Sequence, residues 1–375
     1  MKIKEYLESD TETKEKLRSI ATFFKPEGIT STNRGFQLSP FEEERISRTL
    51  SEAGKVARGE IAYPTVARIC LTTSCLHNCS GCHFANNRAK EKSFLDSSHF
   101  SVLLDEIHSL KVELVDLSGG GEPTLHPEFK TFARMCSEDG FKLALLSNGT
   151  WIDPDLINLL SDGFYFIRIN IDASSGEVYD RIHRPIAPGE FQRMLDNLER
   201  LVAEREKGKA GLIIGGKVWI SQSNMNFLEE TTNLARDLGL DYIQFQTRRD
   251  TSESLTSEQI RSVDQLLQEL KHKFHSFLVY EEFEEGEAPD RCLASSLQLT
   301  IDPKGNIYSC PYYPDRPDSV CLGNIFNQPA DKLWFDSEQK SEIDRQSIKV
   351  CSKQNCRWHV YDKMLRCRIK TRSGN

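Results

Sequence analysis

No apolar run in this chain approaches the ~18 residues needed to cross a membrane. The N-terminus, "MKIKEYLESDTETKEKL", is charged from the outset and has no apolar stretch of a secretory signal. Positive charge is also in deficit. A formal net charge of −8 does not suit a non-specific nucleic-acid binder, whose phosphate contacts need a basic surface. These absences predict a cytoplasmic protein with neither membrane nor nucleic acid as partner. The 375 residues, 38% hydrophobic and 28% charged, are enough for two or three units and a large core. The acidic run "YEEFEEGEAPD" (280–290) reads as a solvated linker, with a cationic substrate as the alternative.

Cysteine is abundant. Eleven are present, an odd number, so complete pairing within one chain is impossible, and clustered thiols in a reducing compartment point to metal or redox chemistry. Four lie in "CLTTSCLHNCSGCHF" (70–84), three of them as Cys75-x3-Cys79-x2-Cys82. Cys70 and Cys136 lie in apolar patterns and read as inert core residues.

Residues 1–60 read as two amphipathic helices, 3–24 and 40–58, with Ser39 and Pro40 as a start signal for the second. From Tyr63 short apolar runs alternate with helical stretches. Strands are expected at 65–71, 113–119, 142–148, 165–172, 212–221 and 241–247, and helices at 97–110, 127–139, 154–161, 189–206, 227–238 and 256–275. Strand–helix repeats of ~30 residues without hairpin turns imply parallel strands. Six units are too few for the closed eight-stranded barrel, so an open α/β partial (β/α)6 barrel is predicted. Ligands then collect at the carboxyl ends of the strands, where the cysteine cluster and "GGGEP" both fall. Residues 292–310, "CLASSLQLTIDPKGNIYSC", read as two strands around a turn, and the cysteine-rich remainder as a small metal-stapled domain. The expected units are therefore 1–60, 61–285 and 286–375.

Three thiolates from one loop can converge on a compact iron–sulfur cluster and leave one iron open for chemistry. Structural zinc, with His77 or His83 as fourth ligand, is the competing reading. The three-cysteine loop after the first strand, with "GGEP" after the second, resembles the radical S-adenosylmethionine (SAM) superfamily over roughly 63–250. The resemblance implies that SAM chelates the open iron of a 4Fe–4S cluster. Its reductive cleavage would give a 5′-deoxyadenosyl radical that abstracts a substrate hydrogen, with a flavodoxin- or ferredoxin-type reductant as partner. It assigns Gly120, Gly121 and Glu122 to SAM's amino group, and Asn148 of "SNG" to a similar strand-end turn. Asn170 and Asp172 of "RINIDAS" fall to the ribose, and Arg184 of "YDRIHRP" to a further SAM contact. Gly81 stands where the family has an aromatic residue, which makes Phe84 the candidate adenine contact. His126 and His183 lie on loops of the same rim.

Cys292-x12-Gly305-x4-Cys310 resembles the opening of the SPASM and twitch domains, which carry auxiliary iron–sulfur clusters. The tight four-cysteine run of a full SPASM pattern is absent. The resemblance implies one auxiliary 4Fe–4S cluster on Cys292, Cys310, Cys351 and Cys356, with Cys367 as the replacement for either of the last two and structural zinc as the alternative. Cys321 is left over and is a candidate hydrogen-atom donor, or a buried inert thiol. The expected reaction is dehydrogenation of a small hydroxyl-rich metabolite such as an aminosugar or aminocyclitol. The alternatives are its epimerisation, maturation of a ribosomal peptide or protein, and a non-catalytic iron–sulfur protein.

Overall fold

The computed structural model describes residues 52–85, 92–208, 211–247, 253–281, 292–310, 321–336 and 366. The two N-terminal helices expected above fall outside this set, apart from helical residues 52–57. Cys351, Cys356 and Cys367 also lie outside it.

Six strands form where short runs of aliphatic residues alternate: β1 (Val66–Ile69), β2 (Leu114–Leu117), β3 (Lys142–Ser147), β4 (Phe166–Asn170), β5 (Ile213–Ile220) and β6 (Tyr242–Thr247). They pair in parallel in chain order. The helices are α1 (Phe100–Ser109), α2 (Phe129–Glu138), α3 (Pro154–Gly163), α4 (Gly176–His183), α5 (Glu190–Lys207), α6 (Leu228–Asp237) and α7 (Ser257–Phe274). Local chemistry sets their starts. Asp153 caps α3 with Pro154 at its first position, and Thr256 with Gln259 closes a capping box on α7.

The period of two along each strand sorts the residues onto two faces. Ala67, Ile69, Val115, Leu117, Leu143, Leu145, Ile167, Ile169, Ile243 and Phe245 join the helices in one large core. On the opposite face Val66, Leu114, Ala144, Phe166 and Tyr242 form a separate small cluster near the strand starts. Two residues further along, that face turns polar. Arg68 donates from Nε and Nη2 to Oδ2 of Asp116 (2.9 and 2.7 Å), and Arg168 donates to Gln244 (3.0 Å). The concave face thus has an apolar floor below a polar layer.

The structure adds elements that the sequence reading lacked. α4 follows β4, started by Ser175, whose Oγ accepts from Val178 N–H. β7 (Leu278–Glu281) pairs in parallel with β6, so the supposed acidic linker begins as a strand. The hairpin is β8 (Gln298–Ile301) and β9 (Asn306–Tyr308), and β10 (Cys321–Asn324) adds to β9. One sheet results, ordered β10-β9-β8-β1-β2-β3-β4-β5-β6-β7. β8 pairs in parallel with β1, taking the edge that a closed barrel would give to its last strand. A final helix, α8 (Ala330–Phe335), is tied back by the Trp334 indole, which donates to the Ala62 carbonyl (2.8 Å). Among the described residues no helix is long and apolar enough to cross a membrane.

Candidate active site

The cysteine loop leaves β1 and is gripped by backbone on both flanks. On one flank the Gly121 and Glu122 N–H groups donate to the Thr72 and Ser74 carbonyls (2.6 and 2.8 Å). This approach needs glycine: a Cβ on Gly121 would lie 1.9 Å from the Ser74 oxygen, and one on Gly120 2.5 Å from that of Thr72. On the other flank Asn78 and Ser80 donate to the His183 and Ile182 carbonyls (3.0 and 2.9 Å), and Ile186 donates back to Leu76 (2.9 Å). The two sequence motifs and the end of α4 are therefore one backbone unit.

Cys75, Cys79 and Cys82 are partly exposed at the mouth of this loop. Their surroundings suit metal-bound thiolates, which accept hydrogen bonds. The Cys75 sulfur accepts from the His77 N–H (3.4 Å), and Nδ1 of His183 lies 3.4 Å from the Cys79 sulfur. His77, Cys79 and His183 also place ligand atoms within 4.8 Å of one another, the arrangement the zinc reading would use. Gly81 has a φ of +65°, which an aromatic residue would adopt only under strain.

Glu122 is buried and points inward. Oε1 accepts from the Thr124 and Ser147 hydroxyls (2.8 Å each) and Oε2 from the Asn148 N–H (2.8 Å). Burial raises its pKa, against the pull of these donors. Its carboxylate thus ties the glycine segment to the turn after β3. Asn148 continues the chain of contacts, its Oδ1 accepting from Thr150 N–H and Oγ1 (3.0 Å each).

Asn170 ends β4, half-buried, in register with Lys217 of β5. Asp172 is buried with a φ of +55°, Oδ1 accepting from the Trp219 N–H (2.5 Å) and Oδ2 lying 3.1 Å from Nε2 of His183. Both carboxylate oxygens are engaged within the protein. The Arg184 side chain is exposed at the end of α4, and its backbone carbonyl accepts from Asn78. Burial lowers the His183 imidazole pKa, but the Cys79 thiolate and Asp172 carboxylate outweigh it and push it up to about 10. The sequence reading places His183 only on a rim loop, not against Cys79. The signal was present, since Val178, Tyr179, Ile182 and His183 fall on one buried face of α4.

Phe84 packs against the glycine segment. Its ring lies under Gly119, beside a small cluster of Cys70, Tyr308 and Cys310, which Cys321 also joins. It bridges the glycine segment to the hairpin. Cys70 and Cys136 are fully buried, as anticipated, and burial pushes the Cys136 thiol up. His126 is also a packing residue, its Nε2 lying 2.8 Å from the Leu95 carbonyl. The hairpin turn is organised by Asp302, whose Oδ1 accepts from Lys304 and Asn306 N–H and whose Oδ2 accepts from the Tyr308 hydroxyl. Gly305 occupies a left-handed position where a Cβ would meet the Phe326 ring at 2.3 Å.

A parallel open barrel with three thiols on its carboxyl rim defines a radical SAM enzyme. The profile of the radical SAM superfamily matches residues 69–219, and that of the SPASM iron–sulfur cluster-binding domain matches residues 292–357. The chain belongs to the radical SAM superfamily and carries a C-terminal SPASM domain. The two domains bring a 4Fe–4S cluster with SAM at the first site and auxiliary iron–sulfur binding at the second. The chain is 23% identical over 297 residues to an AdoMet-dependent heme synthase of Methanosarcina barkeri, covering 72% of this chain and 81% of that one. It is 25% identical over 304 residues to the mycofactocin maturase MftC of Mycobacterium tuberculosis, covering 76% and 75%. The fold is that of Streptococcus suis SuiB bound to its precursor peptide SuiA, with a TM-score of 0.63 at 13% identity over 89% of this chain and 78% of that one.

Proposed function

We propose that the chain is a maturase that abstracts hydrogen from a residue of a peptide or protein and leaves that residue modified. Cys75, Cys79 and Cys82 hold the cluster, and when bound the cluster and SAM supply the 5′-deoxyadenosyl radical that performs the abstraction. The chain's own groups bind and orient. The Gly120–Gly121 backbone offers its polar groups to the methionyl end of SAM, and Glu122 fixes that backbone from behind. Asn170 offers its amide to the ribose.

The observation that carries the peptide reading is the distribution of exposed apolar side chains. Phe94, Trp151, Ile186 and Phe227 are four of the five large exposed hydrophobics among the described residues. Phe94 and Trp151 lie in the loops after β1 and β3, Phe227 ends a short 3-10 turn between β5 and α6, and Ile186 lies in the α4–α5 loop, where its N–H donates to Leu76 of the cysteine loop. A hydroxyl-rich sugar has little apolar surface to bury against such a rim, whereas a peptide has. The similarity to a mycofactocin maturase supports the same reading. The aminosugar or aminocyclitol dehydrogenation expected from sequence, and its epimerisation, find no support among these relatives. Cys321 pairs with Tyr308 and packs against the cluster of Cys70, Tyr308 and Cys310, which favours service at the auxiliary cluster over a free hydrogen donor. The reductant is a flavodoxin- or ferredoxin-type protein, and the place of action is the cytoplasm.

The test is to incubate the anaerobically reconstituted protein with SAM, dithionite and separated peptide and small-metabolite fractions of source cells. A SAM-dependent mass change in a peptide, absent with Cys79→Ala, is expected. Change confined to a small metabolite would overturn the maturase reading.

A further inference from the structure

His183 closes α4 with its imidazole 3% exposed, too deep for substrate to reach. Its Nδ1 lies 3.4 Å from the Cys79 sulfur. On the opposite side Oδ2 of Asp172 lies 3.1 Å from Nε2, an ion-pair distance without an in-line hydrogen bond. Asp172 is itself pinned. Its Oδ1 accepts from Trp219 and its carbonyl from the Asn224 amide (2.8 Å), and it holds a left-handed backbone that a non-glycine residue adopts at a cost. The ring is also fixed by its faces and edges: Tyr179 stacks on it at 4.1 Å and His77 meets it edge-on at 5.4 Å. Packing and charge thus aim one ring nitrogen at one of the three thiols. A buried strained carboxylate behind a histidine is how proteins fix ring orientation next to a metal, although here the histidine faces a ligand sulfur and not the metal.

A metal-bound thiolate can only accept hydrogen bonds, so Nδ1 must be the donor in that contact. A donor at a cluster sulfur stabilises the extra negative charge of the reduced state, and hydrogen bonds to sulfur are among the levers that set cluster potentials. We propose that His183, backed by Asp172, is a positioning residue that donates a hydrogen bond to the Cys79 thiolate and raises the reduction potential of the cluster held by Cys75, Cys79 and Cys82. The inference rests on the assignment of those three cysteines as cluster ligands. Its consequence is functional: a higher potential makes the cluster easier for a weak cellular reductant to charge.

The experiment uses the full chain, anaerobically reconstituted and labelled with ¹⁵N-histidine. Pulsed EPR of the dithionite-reduced cluster is expected to show a ¹⁵N coupling that disappears in His183→Gln, which separates it from any contribution of His77. A potentiometric titration followed by EPR is expected to give a lower midpoint potential for His183→Leu at unchanged iron content, with His183→Gln, which keeps an amide N–H, recovering part of the shift. A wild-type cluster that forms but shows no histidine ¹⁵N coupling would overturn the inference, and that result needs no variant to fold. A coupling that persists unchanged in His183→Gln would overturn it equally. Absence of a cluster on the three cysteines would instead overturn the reading of the site, and this inference with it.

Discussion

Replacing one oxygen of Glu122 by an amide would set a donor against the N–H of either Asn148 or Thr124, from which the two carboxylate oxygens now accept at 2.8 and 3.3 Å. A buried group left unsatisfied costs roughly 1–3 kcal/mol, so Glu122→Gln is expected to lower the unfolding free energy by about that amount. It is also expected to weaken SAM binding through the displaced glycine segment. Chemical denaturation and calorimetric SAM titration measure the two effects. A variant of full stability that loses only SAM affinity would instead mean that the carboxylate meets the ligand directly. At this scale the sequence revealed which residues matter better than what they touch. "GGEP" and "NID" were legible as motifs, but the inward turn of Glu122 depends on Thr124 and Ser147, and that of Asp172 on Trp219 and His183. Such partners come from distant segments and leave no local pattern.

Elements were legible where periodicity was strong, and β1 to β6 fall within the expected apolar runs because each has helices on one face and a lumen on the other. β7 was missed because its sequence runs into an acidic stretch, and β10 because four residues, "CLGN", carry no periodicity. α4 was missed because "SSGEVYDRIH" is short and polar until its buried face is counted. The element-level prediction concerns the meeting of the glycine segment with the cysteine loop. Gly121→Ala has no room for its methyl against Ser74, and overpacking of this kind costs typically about 1–3 kcal/mol. It is expected to lower the melting temperature and reduce iron retained at the first site. Gly176→Ala, whose methyl would meet Phe191 at an ordinary 3.8 Å, is expected to do neither. Equal iron loading in both variants would contradict the view that the two motifs form one unit.

For the molecule as a whole, the described part of the SPASM region, residues 292–310 and 321–336, is joined to the barrel. β8 continues the sheet beside β1, Phe84 and Cys70 meet Tyr308 and Cys310, and Trp334 is anchored to Ala62. Sequence suggested a separate small domain because hairpins and cysteines announce themselves locally, whereas a parallel pairing over 232 residues of chain does not. Cys310 and Cys321 thereby join one cluster with Cys70 at the end of β1 and Phe84 of the cysteine loop. That three cysteines hold a 4Fe–4S cluster with one iron open to SAM is tested by EPR of the reconstituted, dithionite-reduced chain with and without SAM. A reduced-cluster signal is expected whose g-values shift on adding SAM and which is lost when Cys75, Cys79 and Cys82 are replaced together, with the auxiliary iron retained. A signal indifferent to SAM, or one equivalent of zinc in place of iron at His77, Cys79 and His183, would contradict it.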